Sequence, residues 1–283
     1  MMSLIRNKDF WRNFINALAT AASMATLITF LCDWKAKEVS PWILVVMAVG
    51  ILGLSILYGY LMIWRKDKIE LKFNPSFKMT IKYGNLFDPT HNGIIVIPVN
   101  QYFDTQLGGS LVSRDSVLGT FITKIWQDRV DELDRKIESG LPKVGGVENP
   151  SRSAGKKVKY DLGTCVKLLD GGKIYVLVVT TEKNEDNQTV LSKKDYPIVI
   201  GELFNYLKTI SKTHIIYMPL FGAGRGRMTR SRQRILSFLI DTLDFKYSDL
   251  SFPKGVNIII KDGYKDDINL NIIENHFDKA LKD

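Results

Sequence analysis

The 283-residue sequence predicts an α/β protein, with an N-terminal two-helix transmembrane hairpin followed by a three-layer α/β/α domain built on a mixed sheet. Three observations carry that expectation. Two long apolar runs near the start hold no charged residue. After Lys72, short Val/Ile-rich runs alternate with amphipathic stretches. Glycine-rich and turn-rich segments follow several of those runs, where α/β sheets carry their ligand sites.

The first run is Asn13–Cys32, NFINALATAASMATLITFLC, and the second is Trp42–Trp64, WILVVMAVGILGLSILYGYLMIW. At ~1.5 Å per helical residue, each reaches across a hydrocarbon core of ~30 Å. The short polar link DWKAKEVSP, with Pro41 at its end, makes the pair an antiparallel hairpin. Trp42 and Trp64 bracket the second span as an interfacial belt. Arg6, Lys8 and Arg12 precede the hairpin, and Arg65, Lys66, Lys68 and Lys72 follow it, against Lys35 and Lys37 in the link. The positive-inside rule then puts both chain ends in the cytoplasm of a cell-membrane protein. A signal peptide fits less well, since its apolar region is shorter and no second span follows it. Asn16, Thr20, Ser23 and Thr26 form a polar stripe on the first span. Either this is a packing face that meets Ser55 and Gly59, or it lines a water-filled path once several copies assemble.

From residue 73 to 283 the expected strands are Met79–Tyr83, Ile94–Val99, Cys165–Leu169, Ile174–Thr180, Ile215–Pro219 and Val256–Ile260. Continuous Val/Ile runs suit strands buried on both faces. The expected helices are Ser116–Ser139, Tyr196–Ser211, Thr229–Leu243 and Leu270–Leu281. Gly140–Lys159, rich in Gly, Pro, Ser and Lys, reads as a long mobile loop.

Composition sets limits. Lys and Arg number 39 against 30 Asp and Glu, a net charge of +9, and 45% hydrophobic residues exclude a disordered chain. The two cysteines, Cys32 and Cys165, allow no disulfide framework and suit a reducing compartment. His91, His214 and His276 lack ligand spacing, so no metal or cofactor is expected. Arg225, Arg227, Arg230, Arg232 and Arg234 fall in one segment without interleaved aromatics. They read as a solvated face rather than a nucleic-acid site.

Three segments follow the strands and form the candidate site. Gly84-Asn85-Leu86 follows the first strand. Ile94–Asn100 ends in Val99-Asn100 and leads through Asp104 and Gly108-Gly109 into Ser110-Leu111-Val112-Ser113. Phe221-Gly222-Ala223-Gly224-Arg225-Gly226 lies between a strand and a helix. Glycines here let backbone N–H groups approach a diphosphate, and the next helix N-terminus adds partial positive charge.

Together these segments resemble the macro domain, the ADP-ribose-binding α/β module. The resemblance implies that Asn85, standing where the family has Asp, meets the adenine. It further implies that Asn100 meets the distal ribose and that Gly222–Gly226 cradle the diphosphate, with Arg225 or Arg227 as charge partners. The Gly-Gly-Gly-Val-Asp run of the ADP-ribosyl hydrolases is replaced by residues 108–113, so the domain reads as a binder rather than an enzyme. Asp104 or Asp115 is the candidate stand-in for the missing Asp. With its two spans, nearly the full chain resembles the membrane–macro effectors of type II Thoeris antiphage defence. That resemblance implies a histidine–ADP-ribose type of messenger made by a partner TIR enzyme. It also implies a homo-oligomer, with a tetramer among the candidates, and disruption of the lipid bilayer. The alternatives are a membrane-tethered ADP-ribosyl hydrolase and an ADP-ribose-binding scaffold.

Overall fold

The computed structural model describes residues 11, 14–23, 41–63, 66–109, 111–184, 188–224, 228, 231–247 and 250–280. The chain divides into two units, Met1–Arg65 and Lys66–Asp283.

In the first unit, residues 14–23 are helical and helix α1 is Pro41–Ile63. The remainder of the expected first span and the link lie outside the described residues. Among residues described with their side chains, no helix is long and apolar enough to cross a membrane. In α1 that description is continuous only over 48–59. By themselves the described residues therefore do not support a two-helix transmembrane hairpin. The backbone of α1 is nevertheless helical over 23 residues, none of them charged. At ~1.5 Å per residue that is ~34 Å of helix. Val46, Val49 and Leu54 are more than 60% exposed, while Ser55 is buried and returns its hydroxyl to Ile51 O at 2.8 Å. Thr20 and Ser23 likewise donate to the carbonyls of Asn16 and Ala19. The polar stripe thus satisfies part of its hydrogen bonding within its own helix.

The second unit is built on a sheet with strand order β1-β2-β10-β9-β3-β7-β6. Its strands are β1 (Lys68–Asn74), β2 (Phe77–Tyr83), β3 (Gly93–Asn100), β6 (Cys165–Asp170), β7 (Lys173–Lys183), β9 (Ile215–Pro219) and β10 (Phe252–Ile260). Strand β8 (Thr189–Val190) pairs with β7. The five central strands run parallel, while β1 and β6 close the edges antiparallel, which makes the sheet mixed. Helices α4 (Tyr196–Ile210), α5 (Arg232–Tyr247) and α6 (Leu270–Ala280) cover one face. Helices α2 (Val117–Ile125) and α3 (Val130–Gly140) cover the other. The alternation in β3 explains the two cores: Ile94 and Val96 point into one, and Ile95, Ile97 and Val99 into the other.

Four expectations are corrected. Ser116–Ser139 is two helices, because the chain turns at the buried Trp126, whose N–H caps Ile122 O. Leu133 follows Trp126 by seven residues, two helical turns, so the apolar stripe keeps its phase across the break and concealed it. Gly140–Lys159 is not a bare loop. It contains the hairpin of β4 (Val147–Glu148) and β5 (Val158–Lys159), and its Arg152 is buried. Strand β1 was not expected. It runs across the boundary placed between residues 72 and 73, because its alternating Lys68, Glu70 and Lys72 read as a charged flank. Helix α5 begins at Arg232 among the described residues and runs to Tyr247, past the expected Leu243.

The topology opens a crevice. Strand β3 pairs with β9 only over Gly93–Ile95 but with β7 as far as Asn100. At the closed end, a Cβ on Gly93 would sit 2.2 Å from Ile215 O, so only glycine allows that approach. Beyond Ile95 the two strands part, and Pro98 can occupy a central strand because its β9 side carries no ladder there. From β3 the chain leaves to α2 on one face, and from β9 to α5 on the other. The crevice between them is the switch point at which an α/β sheet binds its ligands.

Candidate ligand-binding cleft

At the carboxyl ends of β2, β10, β9, β3 and β7 lies a cleft of about 830 Å³. Asn85, Leu86, Val99, Asn100, Leu111, Val112, Ser113, Phe221, Gly222 and Gly224 line it. Three of the sequence-predicted residues, Ser110, Arg225 and Gly226, lie outside the described residues. Ala223 borders a smaller hollow of about 240 Å³ behind the glycine loop rather than the cleft.

Asp104 is the main correction. It does not line the cleft. Its side chain is 1% exposed and takes both guanidinium nitrogens of Arg152, at 3.0 and 2.7 Å, with the Lys156 N–H at 3.0 Å. It also accepts from Asn100 Nδ2 at 3.1 Å, while Asn100 Oδ1 accepts the Tyr102 N–H at 2.9 Å. Asp104 therefore orients Asn100. The Arg152 guanidinium lies 3.7 Å over the Tyr102 ring, so residues 149–156 are tied to the turn that ends β3. A carboxylate engaged in this way has little freedom left to orient a water. Asp115, the other candidate stand-in, does line the cleft.

The turn after β2 is built locally. Asn85 Oδ1 accepts the Phe87 N–H at 3.0 Å, and Asp88 accepts both the N–H and the hydroxyl of Thr90, which holds its carboxyl below the usual range. His91 Nδ1 lies 2.9 Å from Leu86 O; a carbonyl only accepts, so Nδ1 carries the proton. The imidazole stacks on Tyr217 at 4.1 Å, which assigns this buried histidine to fixing the turn.

On the opposite wall, Gly222 has φ +74°, a conformation that favours glycine, and it packs against the Met228 side chain. Arg232 Nε holds Ala223 O at 3.0 Å, its guanidinium lies 4.0 Å over the Tyr264 ring, and Nη1 pairs with Asp267 at 2.5 Å. This arginine joins the glycine loop to the wall formed by Lys261–Tyr264. Below, Ser116 caps α2 by accepting the Gly119 N–H at 2.9 Å. The first turn of α2 carries no acidic residue, and Val117 and Leu118 line the cleft. That end of the helix thus presents partial positive charge. Along the described lining Lys124 and Lys261 stand with Asp115 and Asp262, while Arg232 is already paired with Asp267. Lys261–Tyr264 follow β10, and Thr181, near the end of β7, and Thr189 also line the cleft. Lys261–Tyr264 and Thr181 both stand toward the carboxyl ends of strands expected from the sequence, the same position that marks the other three segments. Cys165 lies outside the cleft, and burial together with Glu202 pushes its thiol up to about 12, so it stays protonated.

Residues 79–261 match the family model described as "Thoeris protein ThsA, Macro domain". The chain belongs to the Thoeris ThsA macro-domain family. A curated relative, the Thoeris protein ThsA of Bacillus amyloliquefaciens (strain Y2), is 28% identical over 270 residues, 93% of this chain and 87% of the relative. Solved structures similar to this ThsA-family chain include the Oceanobacillus iheyensis macrodomain with ADP, at 12% identity and a TM-score of 0.47, covering 75% of this chain and 97% of that one. The macrodomain of Mycobacterium tuberculosis DarG is similar at 13% identity and a TM-score of 0.35, covering 64% of this chain and 96% of that one.

Proposed function

We propose that the cleft of this ThsA-family chain binds an ADP-ribose-derived messenger of the histidine–ADP-ribose type, made by a partner TIR enzyme. Binding drives homo-oligomer assembly or rearrangement and disrupts the cell membrane. The observation that carries the binding step is the cleft between the diverging β3 and β9. It brings Asn85, Asn100 and the Gly222–Gly224 loop to one sheet edge beside the N-terminus of α2. In this reading Asn85 meets the adenine, Gly222–Gly226 and the α2 N-terminus hold the diphosphate, and Asn100 meets the distal ribose. The role in this reading is binding rather than hydrolysis: the Gly-Gly-Gly-Val-Asp run of the hydrolases is replaced by residues 108–113, and Asp104 is committed to Arg152. For the membrane step the support is α1, apolar on every side, which water would not tolerate and a bilayer would. Both chain ends then face the cytoplasm. A messenger drives assembly only to the extent that it binds the assembled state more tightly than the resting one.

Calorimetric titration of the detergent-solubilised chain with ADP-ribose and with its histidine conjugate, alongside mass measurement, tests this. Heat with the conjugate together with a rise in particle mass is expected. No heat with either compound would leave a scaffold for a protein partner as the better account. Release of ADP-ribose from a modified protein would make the chain a hydrolase.

A further inference from the structure

We propose that the outward face of the β1–β2 ribbon is a docking surface for the anionic headgroups of the lipid bilayer. The antiparallel register sets Lys68 opposite Lys82, Glu70 opposite Thr80, and Lys72 opposite Lys78. Directly opposed residues share a face. The intervening Ile69, Leu71, Met79 and Ile81 are buried on the other side. Four ammonium groups therefore stand together, with two like-charge pairs directly opposed, an arrangement that destabilises a ribbon unless anions neutralise it.

The protein supplies few such anions. Glu70 serves both Lys68, at 2.7 Å, and Lys78, whose side chains are each 55% exposed. Asp88 acts on Lys82 only through space, and Asp67 pairs instead with Lys265 at 3.0 Å. Lys72 makes no ion pair among the described residues.

The commitment to lipid rests on the proposed membrane reading of α1. Strand β1 starts five residues after α1 ends. At ~3.5 Å per residue, Lys68 stays within about 18 Å of that end whatever path the chain takes. If α1 spans a bilayer, this face is tethered beside headgroups. A nucleic acid is less suited, since none of the six face residues is aromatic and no base has a stacking platform. Lys68 and Lys72 then do more than flank a helix. They are half of a folded cationic face whose other half, Lys78 and Lys82, is supplied by the next strand.

The test uses the full chain in lipid nanodiscs, with amine-reactive labelling of each lysine read by mass spectrometry. In discs containing phosphatidylglycerol, labelling of Lys68, Lys72, Lys78 and Lys82 should fall at least about threefold relative to phosphatidylcholine discs. Labelling of Lys208 and Lys212 should stay unchanged. About 0.5 M NaCl should abolish the protection. Equal labelling in the two kinds of disc overturns the proposal, and so does stronger protection by a DNA duplex than by phosphatidylglycerol. Extraction of the chain from membranes by alkaline carbonate would instead count against the membrane span. The face is then tested by flotation of the full chain with phosphatidylglycerol vesicles. Flotation that Lys72→Glu with Lys82→Glu abolishes supports it, and failure to float overturns it.

Discussion

Asn100 illustrates how far a residue's role depends on neighbours it does not resemble. Its Oδ1 accepts the N–H groups of Tyr102 and Asp104 and its Nδ2 donates to the Asp104 carboxylate, so its remaining amide hydrogen points in a fixed direction. Asn100→Ala should weaken ADP-ribose binding by about 5- to 150-fold, as loss of an oriented polar group in a desolvated site costs on the order of 1–3 kcal/mol, and calorimetry reads this directly. Arg152 and Asp104 act together. Arg152→Ala alone leaves a buried carboxylate without its partner, and denaturant unfolding should show a loss of about 3–5 kcal/mol. Combining Arg152→Met with Asp104→Leu should recover most of that stability but not the ligand affinity, because Asn100 then loses its orienting acceptor. Full affinity in the double variant would show that Asp104 does not position Asn100.

At the level of elements, the corner between α2 and α3 is held to β6 by a cluster of charge on an aromatic ring. Arg129 lies 4.5 Å over Trp126 and reaches both oxygens of Asp170, at 2.9 and 3.0 Å, with Lys136 at 3.7 Å from the same carboxylate. The Arg129 guanidinium is the main reason the Asp170 carboxyl titrates below its ordinary 3.8. A carboxyl whose pKa is lower in the folded state stabilises the fold above its unfolded pKa, and that contribution is lost as pH falls through the folded value. Asp170→Asn should therefore cost roughly 0.5–1 kcal/mol at neutral pH, the size typical of a largely solvent-screened pair, and nothing in strong acid. Unfolding followed at both pH values checks the sign. Ser116→Ala should destabilise by about 1 kcal/mol through loss of the α2 cap, and it should also loosen the cleft floor at Ser113.

For the whole molecule, the proposed function joins the apolar helix α1 to the cleft. Leu54→Arg places a charge in the middle of α1, where insertion is opposed by about 2.5–3.5 kcal/mol. Membrane fractionation should show the variant leaving the pellet, while messenger binding by the solubilised chain stays intact. A variant that remains in the membrane and still binds would mean that α1 is not the element that crosses it. If Gly224→Glu abolishes both binding and toxicity while fractionation is unchanged, the cleft lies upstream of the membrane event.

Much of this was legible in the chain itself. The Val/Ile runs fixed the central strands, because residues buried on both faces of a parallel sheet have to be apolar without interruption. The loops after three of those strands contributed residues that line one cleft, because Asn and Gly at strand ends serve backbone geometry that is local in sequence. What stayed hidden depends on partners distant along the chain. Asp104 looked like a ligand group until folding delivered Arg152 to it from 48 residues away. Arg232 looked like one charge in a solvated run until Tyr264 and Asp267 came beneath it. Strand β1 looked like a basic tail until β2 gave its alternating residues a buried side. Charge and periodicity are written in the order of residues. Which carboxylate neutralises a given cation, and which is left to face solvent or ligand, is decided only when the sheet sets strands side by side.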